Sequence, residues 1–159
     1  MDEFSTAPCD TSCRVVTALV FVMTVFFVFL FFSFKEFPPY VMALLPVVLL
    51  ISWGFSVRGY SIEHGTLLIQ RPFFSKSIQL GQDLSVTRDP EAGKGAVKVA
   101  GNGGLFGYYG SFRSKRLGSF TVYATDWKFG VVVKTGGKTF VVTPDEPDMF
   151  ISRLTESAG

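Results

Sequence analysis

The sequence has little of the chemistry on which most enzymes depend. Its 159 residues include one histidine, His64, and two cysteines, Cys9 and Cys13. Nucleophilic catalysis needs a nucleophile beside a positioned base, and a single histidine in a predicted exposed turn does not supply that pair. The two cysteines lie before two long apolar runs and His64 lies after them, which argues against a His/Cys metal cluster. We therefore expect no catalytic residues, no metal and no cofactor.

Charge is also scarce, at 18% of the chain against roughly 25% in an ordinary globular protein. With 48% hydrophobic residues the chain is too apolar for a disordered protein. Two cysteines are too few for a disulfide scaffold. Basic residues outnumber acidic ones by only 15 to 13, so a polybasic nucleic-acid binder is excluded as well.

What the sequence does have is two long uncharged runs near its N-terminus, residues 15–34 and 37–57. An α-helix rises about 1.5 Å per residue, so about 20 apolar residues cross a hydrocarbon core of about 30 Å. We predict a transmembrane hairpin over residues 15–57. A buried core hairpin is less favoured, because only about 100 residues remain to cover it. A cleaved signal peptide is less favoured too, since the preceding residues are acid-rich and no A-x-A-like site follows.

Prolines set the predicted limits of the second helix. Pro38 and Pro39 are tolerated in a first helical turn but not in a helix interior. They indicate a turn over 35–39 and a helix over about 40–57, after a first helix over about 15–34. Pro46 lies inside the second helix, where we expect a kink.

Basic residues near the ends of the helices predict the topology. Arg14, Arg58, Arg71 and Lys76 flank the open ends of the hairpin, and Lys35 alone lies in its turn. Both termini are therefore expected in the cytoplasm, with the chain a multi-pass protein of the inner membrane. Residues 1–14 form a cytoplasmic tail in this prediction. A reducing cytoplasm would keep Cys9 and Cys13 as thiols, and a redox or metal role is the alternative.

Residues 58–159 have a different character. They carry 13 of the 15 basic and 9 of the 13 acidic residues, a net of 13 − 9 = +4. Turn signals every 8–12 residues indicate an all-β sandwich or barrel. After the strands, Asp145 is a good N-cap for a C-terminal helix of about 12 residues. Met149, Phe150, Arg153 and Leu154 recur at helical spacing there and predict an apolar stripe that faces inward. The predicted strands cover 58–63, 66–71, 75–80, 83–88, 108–114, 119–125, 129–135 and 138–143, with a loop from 89 to about 104.

The chain resembles the bacterial pleckstrin-homology-like domain proteins in two segments, 101–126 and 130–154. The most specific motifs are GGLFG at 103–107, YAT at 123–125 and TPD at 143–145. Many members of this family carry a short transmembrane hairpin ahead of the domain. The resemblance implies a PH-like antiparallel β-barrel of about seven strands capped by one C-terminal helix. It implies little about activity, because fold does not determine function.

Two groups of residues are candidates for binding. The first hairpin loop, His64-Gly65 beside Glu63, has no Lys or Arg at its tip, so it is a poor inositol-phosphate site. Basic residues concentrate elsewhere, and beside a membrane each is worth about 1 kcal/mol toward an anionic leaflet; a solvated loop is the alternative. They are Lys94, Lys98, Arg113, Lys115 and Arg116.

The second group is aromatic and lies within a glycine-rich segment. Phe106, Tyr108 and Tyr109 are candidates for docking a protein partner, because aromatic side chains often dominate interfaces; core packing is the alternative. The glycines at 101, 103, 104, 107 and 110 match neither common phosphate-binding spacing. They are interpreted as bends and points of close backbone approach.

These observations favour a non-enzymatic function. The sequence predicts a membrane-anchored PH-like module that acts as a scaffold or binds a protein or a lipid headgroup at the cytoplasmic face. The alternative is an accessory or self-assembling subunit of a membrane complex, in transport or the envelope, with the hairpin as its interaction element. The expected partners are the lipid bilayer and a protein or a second copy of the chain, and not nucleic acid.

Overall fold

The computed structural model describes residues 2–34 and 39–158. The predicted turn at 35–39 lies outside these residues except for Pro39, which begins the second helix. The helices are α1 (Thr11–Phe34), α2 (Pro39–Gly54) and α3 (Pro147–Ala158). The strands are β1 (Asp2–Ser5), β2 (Gly59–Glu63), β3 (Thr66–Gln70), β4 (Lys76–Gln79), β5 (Ser85–Arg88), β6 (Val97–Gly103), β7 (Tyr108–Ser114), β8 (Gly118–Ala124), β9 (Val131–Thr135) and β10 (Lys138–Val142).

The strands form two sheets. The first has the order β1-β2-β3-β4 and the second the order β5-β9-β10-β8-β7-β6. All neighbours are antiparallel except β8 and β10, which are parallel. The predicted β-rich domain with a C-terminal helix is confirmed. The described residues form ten strands in two sheets, where the resemblance implied an antiparallel β-barrel of about seven strands.

The hydrophobic core lies where both sheets meet α3. On α3, Phe150 and Leu154 are fully buried, as the helical spacing predicted, whereas Met149 beside them is 54% exposed. Phe4 of β1 packs edge-on against Phe150, with ring centroids 5.3 Å apart. The strands contribute Tyr60, Ile62, Leu67, Ile69 and Ile78 from the first sheet and Tyr123, Val131, Val133, Phe140 and Val142 from the second.

Two strands, β1 and β6, were not predicted from the sequence. β1 is four residues long, lies within the predicted tail and buries only Phe4. β6 lies within the predicted loop after residue 89, and most of its residues are exposed. It is the last strand of its sheet and has a register shift at Lys98–Ala100. Neither strand has the alternation of apolar and polar residues by which strands are recognised.

The two N-terminal helices differ from their predicted limits. α1 begins at Thr11 rather than near Val15, and α2 ends at Gly54 rather than near Val57. The segment Thr11–Ser33 is the one helical stretch of the described residues that is long and apolar enough to cross a membrane. α2 has 16 residues, so it is about 24 Å long and shorter than the predicted second span.

Residues 2–10, which we call the N-terminal strap, join the two sheets. β1 pairs with β2 in the first sheet. Farther along the strap, Ala7 N donates to Thr143 O (2.9 Å) and Asp10 N donates to Thr125 O (3.2 Å), both at the ends of strands of the second sheet. The strap precedes α1, and β2 follows α2. The chain therefore leaves the domain into α1 and returns to the same domain from α2.

A buried network of hydroxyl groups holds the strap in place. The Tyr60 hydroxyl donates to Tyr123 O (2.6 Å) and accepts from Thr143 N (3.0 Å). Thr125 N donates to Thr143 Oγ1 (2.8 Å), and Thr125 Oγ1 donates to Ala7 O (2.5 Å). An unpaired buried polar group costs about 1–3 kcal/mol, so each of these hydroxyls contributes most by satisfying a backbone group that would otherwise be unpaired.

Replacing Tyr60 by Phe removes a buried hydroxyl while it preserves the ring. We expect Tyr60→Phe to lower the free energy of unfolding by about 1–3 kcal/mol, because it leaves Tyr123 O and Thr143 N without this partner. Denaturation of the full chain in detergent, followed by near-UV circular dichroism, measures the change. The control is Tyr109→Phe, since the described residues give the Tyr109 hydroxyl no hydrogen bond. Equal stability of the two variants would contradict the role of the network.

The same tyrosine predicts the response to alkaline pH. Burial raises the pKa of Tyr60 from 10 to about 12. The unfolded chain therefore ionises this group first, so its contribution to stability is complete below pH 10 and is lost as the pH rises toward 12. We expect the wild-type protein to lose more stability than Tyr60→Phe between pH 9 and pH 12. If the stabilities of the wild type and of Tyr60→Phe fell equally over this range, a group other than Tyr60 would cause the loss.

Candidate functional site

The three aromatic candidates lie at the end of the domain where α1 begins and α2 ends, which we call the junction. Asp10 starts α1, because its Oδ1 accepts the hydrogen bond from Cys13 N (2.7 Å). A cap of this kind satisfies one of the free amides of a first helical turn. It extends the helix four residues beyond the apolar run and places Arg14 on its first turns.

The turn between β6 and β7 packs against α1 at the junction. Phe106 N donates to Thr17 Oγ1 (3.0 Å), and Phe106 has a left-handed backbone with φ 59°. The Tyr108 hydroxyl donates to both carboxylate oxygens of Asp10 (3.1 Å each). All three aromatic residues predicted to dock a partner lie here, each half-buried. Two of them are bonded to α1 or its cap, and docking to another protein stays a prediction.

Two residues of the glycine-rich segment, Gly101 and Gly110, lie where two backbones approach closely. Gly101 of β6 is paired with Gly110 of β7, and both have positive φ angles, 111° and 118°. A Cβ on Gly101 would overlap Tyr109 O, and one on Gly110 would overlap Ala100 O. This agrees with the structural interpretation of the glycine-rich segment, in which the glycines permit the pairing of β6 with β7.

Four of the five predicted basic residues lie away from the junction, whereas the Lys98 side chain lies beside Gly103, next to the turn that contacts α1. β7 runs from Tyr108, which contacts α1, to Ser114 at the β7–β8 turn, and six residues of strand span roughly 20 Å. Arg113, Lys115 and Arg116 lie at or beside that distant turn. Arg116 forms an ion pair with Asp89 (2.5 Å), and Lys94 forms one with Glu91 (3.2 Å). Lys98, on β6, is the strand partner of Phe112 on β7. Lipid binding by these five residues stays a prediction.

Two other basic residues lie close to the junction, and the sequence analysis used them only to predict topology. The Arg58 guanidinium lies over the ring of Trp53, 5.3 Å from its centroid. The Arg71 guanidinium lies over the ring of Tyr123, at 4.6 Å. Such cation–π contacts leave the edge N–H groups of a guanidinium available to an anion. The signal in the sequence was their position, one at the start of the domain and one just after β3.

The two cysteines lie side by side at the start of α1. Cys13 is buried, Cys9 is half-buried, and both line a cavity of about 480 Å³ together with Thr17, Phe21 and Phe106. A hydrogen bond from the Cys13 thiol lowers the pKa of Cys9 from 9.0 to about 7, although burial and Asp10 raise it. No group of three or more metal-ligating side chains occurs within the described ranges.

This arrangement predicts unequal thiol reactivity. Thiolates are the nucleophilic form, so we expect Cys9 to react with a water-soluble maleimide at a rate that rises with pH through a midpoint near 7. Cys13 should stay unmodified while the chain is folded. Mass spectrometry after timed labelling measures both rates, with Cys13→Ala as the test of the hydrogen bond, since it should move the Cys9 midpoint upward. A Cys9 midpoint unchanged in that variant would contradict this account.

The remaining titratable candidates do not form an acid–base pair. His64 is exposed in the β2–β3 turn, as predicted. Asp83 is exposed and accepts hydrogen bonds from the amides of Gly136 (3.0 Å) and Gly137 (3.4 Å), and the Gly136 bond lowers its pKa. Asp89 is engaged by Arg116. Each carboxylate thus holds a turn or a loop.

Two packed sheets with a core that is covered by one face of a C-terminal helix define a PH-like domain. The chain belongs to the bacterial PH domain family, whose model matches residues 58–158. The match begins at Arg58, so it includes α3 and nine of the strands but neither the strap nor α1 and α2. No curated protein and no solved structure matches the chain.

Proposed function

We propose that the chain is a membrane-anchored PH-like module, which serves as a non-enzymatic scaffold or binds a protein or lipid at the cytoplasmic face of the inner membrane. PH domains are in general binding modules. The observation that carries the membrane proposal is the strap, because it fixes both ends of the α1–α2 segment to one domain.

The surface of the helices supports a lipid environment. Exposed apolar side chains cover the described part of both helices, and within Thr11–Ser33 only Cys13 and Thr24 are buried. Each Leu, Ile, Phe or Val at the centre of a membrane helix favours insertion by about 0.3–0.6 kcal/mol. The most exposed are Leu19, Phe21, Val22, Phe29 and Phe32 on α1, and Leu44, Leu50 and Ile51 on α2.

The strap supports a hairpin topology. Since β1 is paired with β2, a chain that enters the bilayer through α1 must return to the side from which it left. A cleaved signal peptide is disfavoured, because cleavage after α1 would remove a strand of the first sheet. With its 16 residues, α2 is about 6 Å shorter than an average hydrocarbon core, a mismatch that local thinning of the bilayer accommodates at modest cost.

The distribution of charge supports the cytoplasmic side. Arg14, Arg58 and Arg71 lie at or near the junction, and in the sequence Lys35 is the one basic residue between the two helices. Basic residues favour the cytoplasmic side of a membrane. The tether would then keep the domain within a thin layer at the bilayer, where weak contacts become effective.

A second candidate function is assembly through the helices. Phe21, Val22, Val25, Phe26 and Phe29 line an apolar groove of about 470 Å³ on α1. Such a groove favours an accessory or self-assembling subunit of a membrane complex. Replacing residues 11–54 by an unrelated hairpin of equal length distinguishes the two functions, because assembly would be lost and binding by the domain would be retained.

Membrane topology is the direct test of the proposal. We expect epitope tags at both termini to be resistant to protease in intact spheroplasts and digested in inverted membrane vesicles. The protein should also remain in the pellet after alkaline carbonate extraction. A periplasmic domain and a cytoplasmic domain of known orientation are the controls. Digestion of one tag in each preparation, or release by carbonate, would overturn the hairpin.

A further inference from the structure

Four aromatic side chains form a surface at the end of α2 that the function proposed above does not yet use. We call it the aromatic ledge: Trp53, Phe55, Phe73 and Phe74. The last two belong to the loop between β3 and β4. Ring centroids in the ledge lie 6.3 Å apart for Trp53–Phe73 and 6.4 Å apart for both Phe55–Phe73 and Phe55–Phe74.

The ledge is fixed to both α2 and the domain. Phe73 N donates to Gly54 O (3.1 Å), and a Cβ on Gly54 would overlap the Phe73 ring. On the other side, the Phe55 ring stacks on Tyr109 of β7, with centroids 6.1 Å apart. The position of the ledge relative to the sheets is therefore set by packing, so its depth in a bilayer would determine the tilt of the domain.

The ledge exposes an unusual amount of apolar surface. Phe74 is 69% exposed, Phe73 43% and Trp53 39%. Trp53 is itself part of α2 and lies one helical turn after Leu50, and Leu50 and Ile51 are 57% and 48% exposed. A contiguous apolar patch of this kind marks an interaction site, and its continuity with a proposed membrane helix indicates lipid as the occupant.

Positive charge borders the ledge. Arg58 lies over Trp53, which belongs to the ledge, and Arg71 is the first residue of the β3–β4 loop. Among the described residues neither guanidinium is in an ion pair, and Lys76 at the other end of the loop is exposed. Aromatic rings flanked by basic residues match the boundary between acyl chains and anionic headgroups.

We propose that the aromatic ledge is an interfacial membrane contact, in which Phe73 and Phe74 enter the headgroup–acyl boundary while Arg58 and Arg71 bind phosphates of anionic phospholipids. This inference rests on the proposed membrane location of α1 and α2. It gives the domain a second attachment beside the helices and turns the β3–β4 side toward the bilayer.

The orientation has a consequence for the predicted basic site. The β7–β8 turn lies roughly 20 Å from the junction along β7, which is about two Debye lengths at physiological ionic strength. Arg113 and Lys115 would then be screened from the lipid surface. In this orientation they face the cytoplasm, and the junction carries the lipid contact.

A fluorescent label tests the depth of the loop. The full chain with Cys9→Ser, Cys13→Ala and Phe74→Cys is labelled with an environment-sensitive nitrobenzoxadiazole and reconstituted into phosphatidylcholine–phosphatidylglycerol liposomes. The matched control carries Lys115→Cys in place of Phe74→Cys. We expect blue-shifted emission and strong quenching by brominated lipids at position 74, and emission as in water without quenching at position 115.

Flotation with the liposomes separates the two proposals. If the labelled chain does not float, the membrane function fails. If it floats and position 74 behaves like position 115, the ledge proposal is overturned while the membrane function stands. Quenching at 74 only when a second protein is added would likewise overturn it, in favour of a protein partner. Phe74→Trp with Trp53→Phe and Trp127→Phe repeats the measurement without changing the cysteines.

Charge is tested in the same system. We expect Arg58→Gln with Arg71→Gln to make the quenching at position 74 less dependent on the fraction of phosphatidylglycerol. Arg113→Gln with Lys115→Gln is the matched pair and should leave that dependence unchanged. The reverse result, with only the second pair sensitive to anionic lipid, would assign the lipid contact to the β7–β8 turn and overturn the proposed orientation.

Discussion

The attachment of the N-terminal strap to both sheets is the constraint on which the rest of the structure depends. β1 extends the first sheet, and the strap then bonds to the ends of β8 and β10 in the second sheet before Asp10 caps α1. The hydroxyls of Tyr60 and Thr125 form buried hydrogen bonds beside them. Separating the strap from the domain would break several hydrogen bonds at once, each with a net contribution of about 0.5–1.5 kcal/mol.

This attachment makes the helices part of the domain rather than a flexible tether. α1 starts at the cap, the β6–β7 turn bonds to Thr17, and α2 ends against the β3–β4 loop. A PH-like module held in this way has a defined face toward its two helices. The residues that line the junction distinguish this module, because the fold alone does not specify a ligand.

Regular periodicity separates the elements that the sequence predicted well from those that it did not. β7 and the hairpin of β9 and β10 lie where alternating residues and a Gly-Gly turn predicted them. β1 and β6 were missed, because both pair along the backbone and bury few side chains. Only part of the candidate site was predicted, because the other part has no pattern within a single segment of the sequence. Phe106, Tyr108 and Tyr109 lie at the junction, but the aromatic ledge joins two segments that are distant in sequence.

By itself the sequence determined the two apolar helices, the β-rich domain and the helix that covers its core, since each follows from the local pattern of apolar side chains. It also determined the family, through motifs that lie within residues 58–158. Only the tertiary structure decided that residues 2–10 belong to the domain and that Arg58 and Arg71 lie close to the helices while Arg113 and Lys115 do not. Those relations depend on the directions of the strands and on hydrogen bonds between residues far apart in the chain. Local sequence patterns do not predict such contacts.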